Sequence, residues 1–103
     1  MEKSGKAWTV TDRYGNRVYM TWERWNHILE FHPEMDPFFA EIRRTVQMSR
    51  RRQATLNPHK WFYIRWGLEG LEPWNNCIVV VIAHRPEAEY FVVTSYQDYI
   101  EER

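Results

Sequence analysis

Two histidines, His27 and His32, sit inside "WERWNHILEFHPEM" (residues 22–35), a tryptophan-rich stretch that runs into a proline. Histidine has an ordinary pKa of about 6.5, so it can take or give a proton near neutrality. The pair could be an acid and a base, metal ligands, or filling for a core. The metal reading has the least support. Ligand pairs on one helix face are spaced i, i+4, whereas these are five apart and lie about 140° apart around a helix. No cysteine pair or carboxylate–histidine spacing supplies the missing ligands. No metal and no cofactor is expected. A Gly-rich phosphate loop, a nucleophile elbow and a serine with a histidine–acid partner are also absent from the sequence.

A second set of chemically useful residues is basic. "RRTVQMSRRR" packs Arg43, Arg44, Arg50, Arg51 and Arg52 into ten residues. Such a cluster attracts a phosphate backbone, although positive charge after a helix C-terminus is favourable in itself. Downstream, "KWFYIRW" begins with Lys60 and reads as a strand. By alternation Trp61, Tyr63 and Arg65 point one way, and Phe62, Ile64 and Trp66 the other. The first set is expected to form an open aromatic–cation–aromatic surface.

These groups need a scaffold, and 103 residues supply one domain, residues 1–103, with a modest core. Six Trp, six Tyr and five Phe make the chain 17% aromatic. Each such ring removes about 150–250 Å² from water when buried. Fourteen basic and fourteen acidic residues cancel, which argues against coating nucleic acid through the overall field. "CIVVVIA" (residues 77–83), the longest apolar run, is too short to cross a membrane. The N-terminal "MEKSGKAW" lacks a signal-peptide core. Cys77 has no internal disulfide partner and reads as a small buried hydrophobe. A cytoplasmic location and no membrane partner are expected.

"WTVTDRYGNRVYMT" reads as two strands around Arg13–Asn16, with Gly15 and Asn16 suited to positive φ. Thr21 is an expected N-cap for a helix over residues 22–32. Trp22, Trp25, Leu29 and His32 fall on one stripe of that helix. His27 lies off it, beside Glu23 and Glu30. His32 therefore also suits a structural role, and His27 a solvated face. Pro33 stops the helix. Asp36-Pro37 is expected to start a second, whose inward face is Phe38, Phe39, Ile42, Val46 and Met48. Four strands follow, over residues 51–56, 60–66, 77–83 and 90–96, with Asn57-Pro58-His59 as a tight first connection. Their short links favour antiparallel neighbours. The fold class expected is α+β: an N-terminal β-hairpin, then two helices packed on one face of a four-stranded antiparallel sheet.

The order of segments, with "VTDRYGNRVYMTWERWNHILEFHPEM", "RRTVQM", "KWFYIRW", "CIVVVIA" and "YFVVTSY", resembles the phage-type branch of the barnase–EndoU–colicin–RelE-like nuclease superfamily. The likeness covers roughly residues 10–96. It implies a barnase/RelE-like sheet and a metal-independent ribonuclease of toxin or mobile-element type. On that analogy His27 and His32 match the two helix histidines. Arg65 lies on the strand that often carries a basic group, and Thr94 and Tyr96 occupy the polar end of the last strand. No lysine stands beside these positions, a departure from the stronger members.

Such cleavage requires a base for the 2′-hydroxyl, an acid for the leaving 5′-oxygen and cations on the phosphate. The expected catalytic set is His27, His32, Arg65, Thr94 and Tyr96. Arg43, Arg44, Arg50, Arg51, Arg52, Lys60, Trp61 and Tyr63 form the expected RNA-binding set. RNA and a protein inhibitor or antitoxin are the candidate partners. The competing reading is a non-catalytic domain that binds a protein or nucleic acid through its aromatic and arginine surface.

Overall fold

The computed structural model describes residues 5–87 and 89–102. A hairpin of β1 (Lys6–Thr11) and β2 (Arg17–Thr21) leads into α1 (Trp22–Phe31), a 3-10 helix (Pro33–Phe38) and α2 (Phe39–Met48). Strands β3 (Arg51–Ala54), β4 (Asn57–Trp66), β5 (Cys77–His84) and β6 (Tyr90–Asp98) complete the chain. Local chemistry sets several boundaries. The hairpin turns at Gly15, whose φ of 87° is accessible without a Cβ penalty; Asn16 stays at negative φ. Thr21 Oγ1 accepts the Arg24 N–H at 3.0 Å and starts α1, a cap worth roughly 0.5–2 kcal/mol.

The four-stranded antiparallel sheet expected from the sequence is overturned. All six strands form one mixed sheet in the order β1-β2-β6-β5-β4-β3. The hairpin belongs to it, because β2 runs parallel to β6 through the pairs Val18–Tyr90 and Tyr19–Phe91. This is not the barnase/RelE-like architecture that the resemblance implied. The physical reason lies in the hairpin itself. A two-stranded ribbon is marginal alone, and its Val18 and Met20 are fully buried in the core that the sheet shares with α1 and α2.

Smaller corrections follow the same logic. The second helix begins at Phe39, and Asp36 and Pro37 fall in the preceding 3-10 helix. Met48 is exposed rather than part of the inward face. Strand β3 ends at Ala54, which pairs with Asn57 across a two-residue turn. Asn57, Pro58 and His59 are therefore the start of β4. Pro58 is tolerated there because β4 pairs with β5 only from Lys60 onward.

Both helices lie on one face of the sheet. Trp25 and Ile28 of α1 and Ile42 and Val46 of α2 pack with Val18, Met20, Tyr63, Ile78, Val80 and Ile82. Phe39 joins the helices, stacked on Trp22 at 5.6 Å and edge-on to Trp25 at 5.0 Å. The opposite face holds a second cluster of Ile64, Cys77, Val79 and Val81, edged by Phe62, Trp66, Val93, Tyr96 and Ile100. Among the described residues no helix packs on it. The alternation of β4 is as expected, but the covered side is the reverse. Tyr63 is buried under the helices, so Trp61, Tyr63 and Arg65 are not an open surface. No helix among the described residues is long and apolar enough to cross a membrane.

Candidate functional site

The two histidines of α1 part company. His27 is exposed and rests on Phe31, one turn on, with ring centres 4.7 Å apart. His32 ends the helix, with Nδ1 3.6 Å from the Glu34 carboxylate and its ring 5.7 Å from that of Tyr96. Tyr96 pairs with Val79, and Thr94 with Val81, so both belong to the helix-free face. Arg65 pairs with Ile78 and points to the other face, where it meets Glu41 of α2 at 3.2 Å. The structure thus brings His32 to Tyr96, and sets His27 and Arg65 apart from them. Burial, and then the nearby Asp98 charge, push the Tyr96 phenol upward. It is a hydrogen-bond donor near neutrality. His59 is exposed, and His84 stacks on Tyr90 at 4.1 Å.

The expected RNA-binding residues divide as well. Arg51 is an interior residue, its side chain 15% exposed. Its guanidinium carbon lies 3.9 Å from the Trp61 ring centre and 4.3 Å from that of Tyr14. Its Nη1 donates to the Tyr63 hydroxyl at 3.3 Å and stands 3.9 Å from the Asp12 carboxylate. Tyr63 in turn donates to Asp12. Burial first, and then that bond, push the Tyr63 phenol far up. Burial alone would lower Arg51, but Tyr63, Tyr90 and Asp12 more than offset it. Asp12 is wholly enclosed and also accepts the backbone N–H groups of Tyr14 and Asn16 at 2.9 and 2.8 Å. These bonds satisfy a carboxylate that would otherwise be costly to bury. The cluster ties the β1–β2 turn to β3 and β4.

Arg50 and Arg52 have a different environment. With Arg51, Ile64 and Trp66 they line an open groove of ≈ 470 Å³ at the β3 edge. A neighbouring depression shares Arg50, Ile64 and Trp66 and adds Arg13, Ser49, Glu102 and Arg65, the last also held by Glu41. Arg52 lies 5.7 Å from the Trp66 ring centre. The indole is fixed from behind, since its Nε1–H donates to the Ile100 carbonyl at 2.8 Å. Among the described residues neither Arg50 nor Arg52 forms an ion pair, whereas Arg51 and Arg65 both do. Two unneutralised guanidinium groups beside a half-buried indole can hold phosphate oxygens and stack a planar ring. Lys60 lies on the same face, two residues before Phe62. Arg43 and Arg44 are exposed on α2, away from the groove. Among the described residues no group of three or more His, Cys, Asp or Glu could hold a metal ion.

Sequence reasoning omitted Asp12, Tyr14 and Trp66 from the important residues. An aspartate opening a Gly-containing turn was a visible signal for the turn, but not for burial of the carboxylate. Trp66 shares alternation with Ile64 and Phe62, which was visible; that this side lacked a helical cover was not. Comparison with protein-family models, with curated proteins and with solved structures finds no match.

Proposed function

We propose that this chain is a binding domain for single-stranded nucleic acid, RNA in a cytoplasmic setting. Arg50 and Arg52 hold phosphates and Trp66 stacks a base. The observation that carries this reading is the convergence of two unneutralised arginines on a braced indole at one sheet edge. A solvent-accessible groove suits an unpaired strand, whose bases expose their flat faces. The neutral total charge is no obstacle, because the positive charge is local.

The endoribonuclease reading has one observation in its favour, the contact of His32 with Tyr96 on the face that also carries Thr94. Cleavage needs a cation beside that pair, and Arg65 is engaged by Glu41 on the opposite face. Binding without cleavage is the better supported function.

The test is fluorescence anisotropy with labelled single-stranded RNA and DNA in EDTA, followed by a denaturing gel of the same samples. Salt-sensitive binding that is weakened in Arg50→Ala/Arg52→Ala, with the oligonucleotide intact, is expected. Absence of binding by the folded protein would sink the proposal. Cleavage that disappears in His32→Ala would transfer the function to the His32–Tyr96 pair.

A further inference from the structure

The helix-free face has a second cationic and aromatic corner. Val18, Met20 and Val92 are buried toward the helices, so alternation turns Tyr19 and Phe91 to the other side. Their rings are 6.2 Å apart. At the rim where the first turn of α1 meets the sheet, Tyr19, Thr21, Arg24, Arg85, Phe91 and Val92 line a notch of ≈ 180 Å³, with Arg85 5.0 Å from the Phe91 ring centre. The nearby Glu89 is taken by Lys6 at 3.3 Å and Arg17 at 3.8 Å. Among the described residues Arg24 and Arg85 have no carboxylate partner.

Strand register gives the distance between the two corners. From β2 to β4 there are three strand spacings. Tyr19 is level with Phe91, Ala83 and Lys60, six residues along β4 from Trp66. With about 4.8 Å between strands and about 3.3 Å per residue, the diagonal is roughly 25 Å. Phe62, Thr94 and Tyr96 lie between the ends, whereas Lys60, level with Tyr19 but three strands away, lies off the diagonal.

We infer that a single strand of nucleic acid crosses this helix-free face on the diagonal, over the side chains that cover its buried cluster, with a second subsite at Tyr19, Arg24, Arg85 and Phe91. This rests on the binding function proposed above and extends it from a groove to a track. Charge selects the occupant: although Glu87 adjoins Tyr19 and Glu102 adjoins Arg50, the two arginines without an ion pair at each end, with rings between them, match a polyanion carrying stackable bases. A second copy of the chain laid on this face would set arginine against arginine whichever corners met. At about 3.4 Å per stacked nucleotide the track holds roughly seven, and fewer if the strand is extended.

The experiment is a length series of labelled oligouridylates against the wild type, Arg24→Ala/Arg85→Ala and Arg50→Ala/Arg52→Ala, each checked by thermal melting. Wild-type affinity is expected to rise with length up to roughly seven nucleotides and then level off. Arg24→Ala/Arg85→Ala should weaken a ten-nucleotide strand by roughly tenfold, lower the salt slope by about 1.4, and leave a three-nucleotide strand unaffected. The Arg50/Arg52 variant should weaken both lengths. An affinity flat beyond three nucleotides, or a long strand indifferent to Arg24 and Arg85, would overturn the track while leaving the groove. No binding at any length would overturn both.

Discussion

Arg51 places its guanidinium 3.9 Å from the ring centre of Trp61, while Arg52, the next residue, reaches toward Trp66 on the other side of the sheet. Successive side chains of a strand point to opposite faces. The run Arg50-Arg51-Arg52 is therefore not one basic patch. Its middle member serves the interior, and its flanking members serve the groove.

Removing the interior member should be costly. Arg51→Ala leaves the enclosed Asp12 carboxylate without its cation and strips Trp61 and Tyr14 of a stacked partner. A loss of about 3 kcal/mol in urea unfolding is expected, as for other broken buried pairs. Arg51→Lys should recover little, because an ammonium cannot reproduce the planar fork. Arg52→Ala should lie within about 0.5 kcal/mol of the wild type. Equal effects at the two positions would contradict the division.

Tyr63 makes stability sensitive to alkali. Its phenol titrates well above the ordinary value of 10.0 when folded. The unfolded chain therefore releases this proton first, and the stabilisation is complete below pH 10 and declines as pH rises past it. Tyr63→Phe should be less stable at pH 7 by about 1–3 kcal/mol, since Asp12 loses a donor. It should also show a shallower decline above pH 10. Parallel stability curves for the two proteins in alkali would refute the assignment.

Salt dependence isolates the groove. A single strand loses about 0.7 in log–log slope for each phosphate contact removed. Arg50→Ala/Arg52→Ala should lower the slope by about 1.4, with no change in melting temperature beyond that of ordinary surface substitutions. Trp66→Ala should instead weaken binding by about 1–3 kcal/mol at every salt concentration. A Trp66 variant that changed only the slope would show that the indole does not stack on a base.

The parallel β2–β6 junction has its own test. Met20 is fully buried where the hairpin joins the sheet. Met20→Ala should cost about 2–5 kcal/mol, and the amides at the junction should exchange among the slow ones. A hairpin that hung free of the sheet would give a cost near zero and fast exchange.

The features legible in the chain were local. Thr21 as a cap, Pro33 as a stop, Gly15 as the turn residue and the two-sided alternation of residues 60–66 all depend on neighbours within a few positions. Each followed from backbone sterics or a short-range hydrogen bond, so each was legible. Even here the offset of α2 and the place of the β3–β4 turn were missed, because Pro37 and Pro58 fit more than one local geometry. Tertiary structure alone decided the rest. Alternation announces two faces of a strand but not which one the helices cover, so Tyr63 and Arg51 could read as exposed until α1 and α2 were in place. The parallel pairing of Val18 with Tyr90 joins residues 72 positions apart, beyond any periodic signal. The separation of His32 and Tyr96 from Arg65 is a consequence of strand register. Residues suited to a common chemistry were present in the chain, and packing assigned them to different faces.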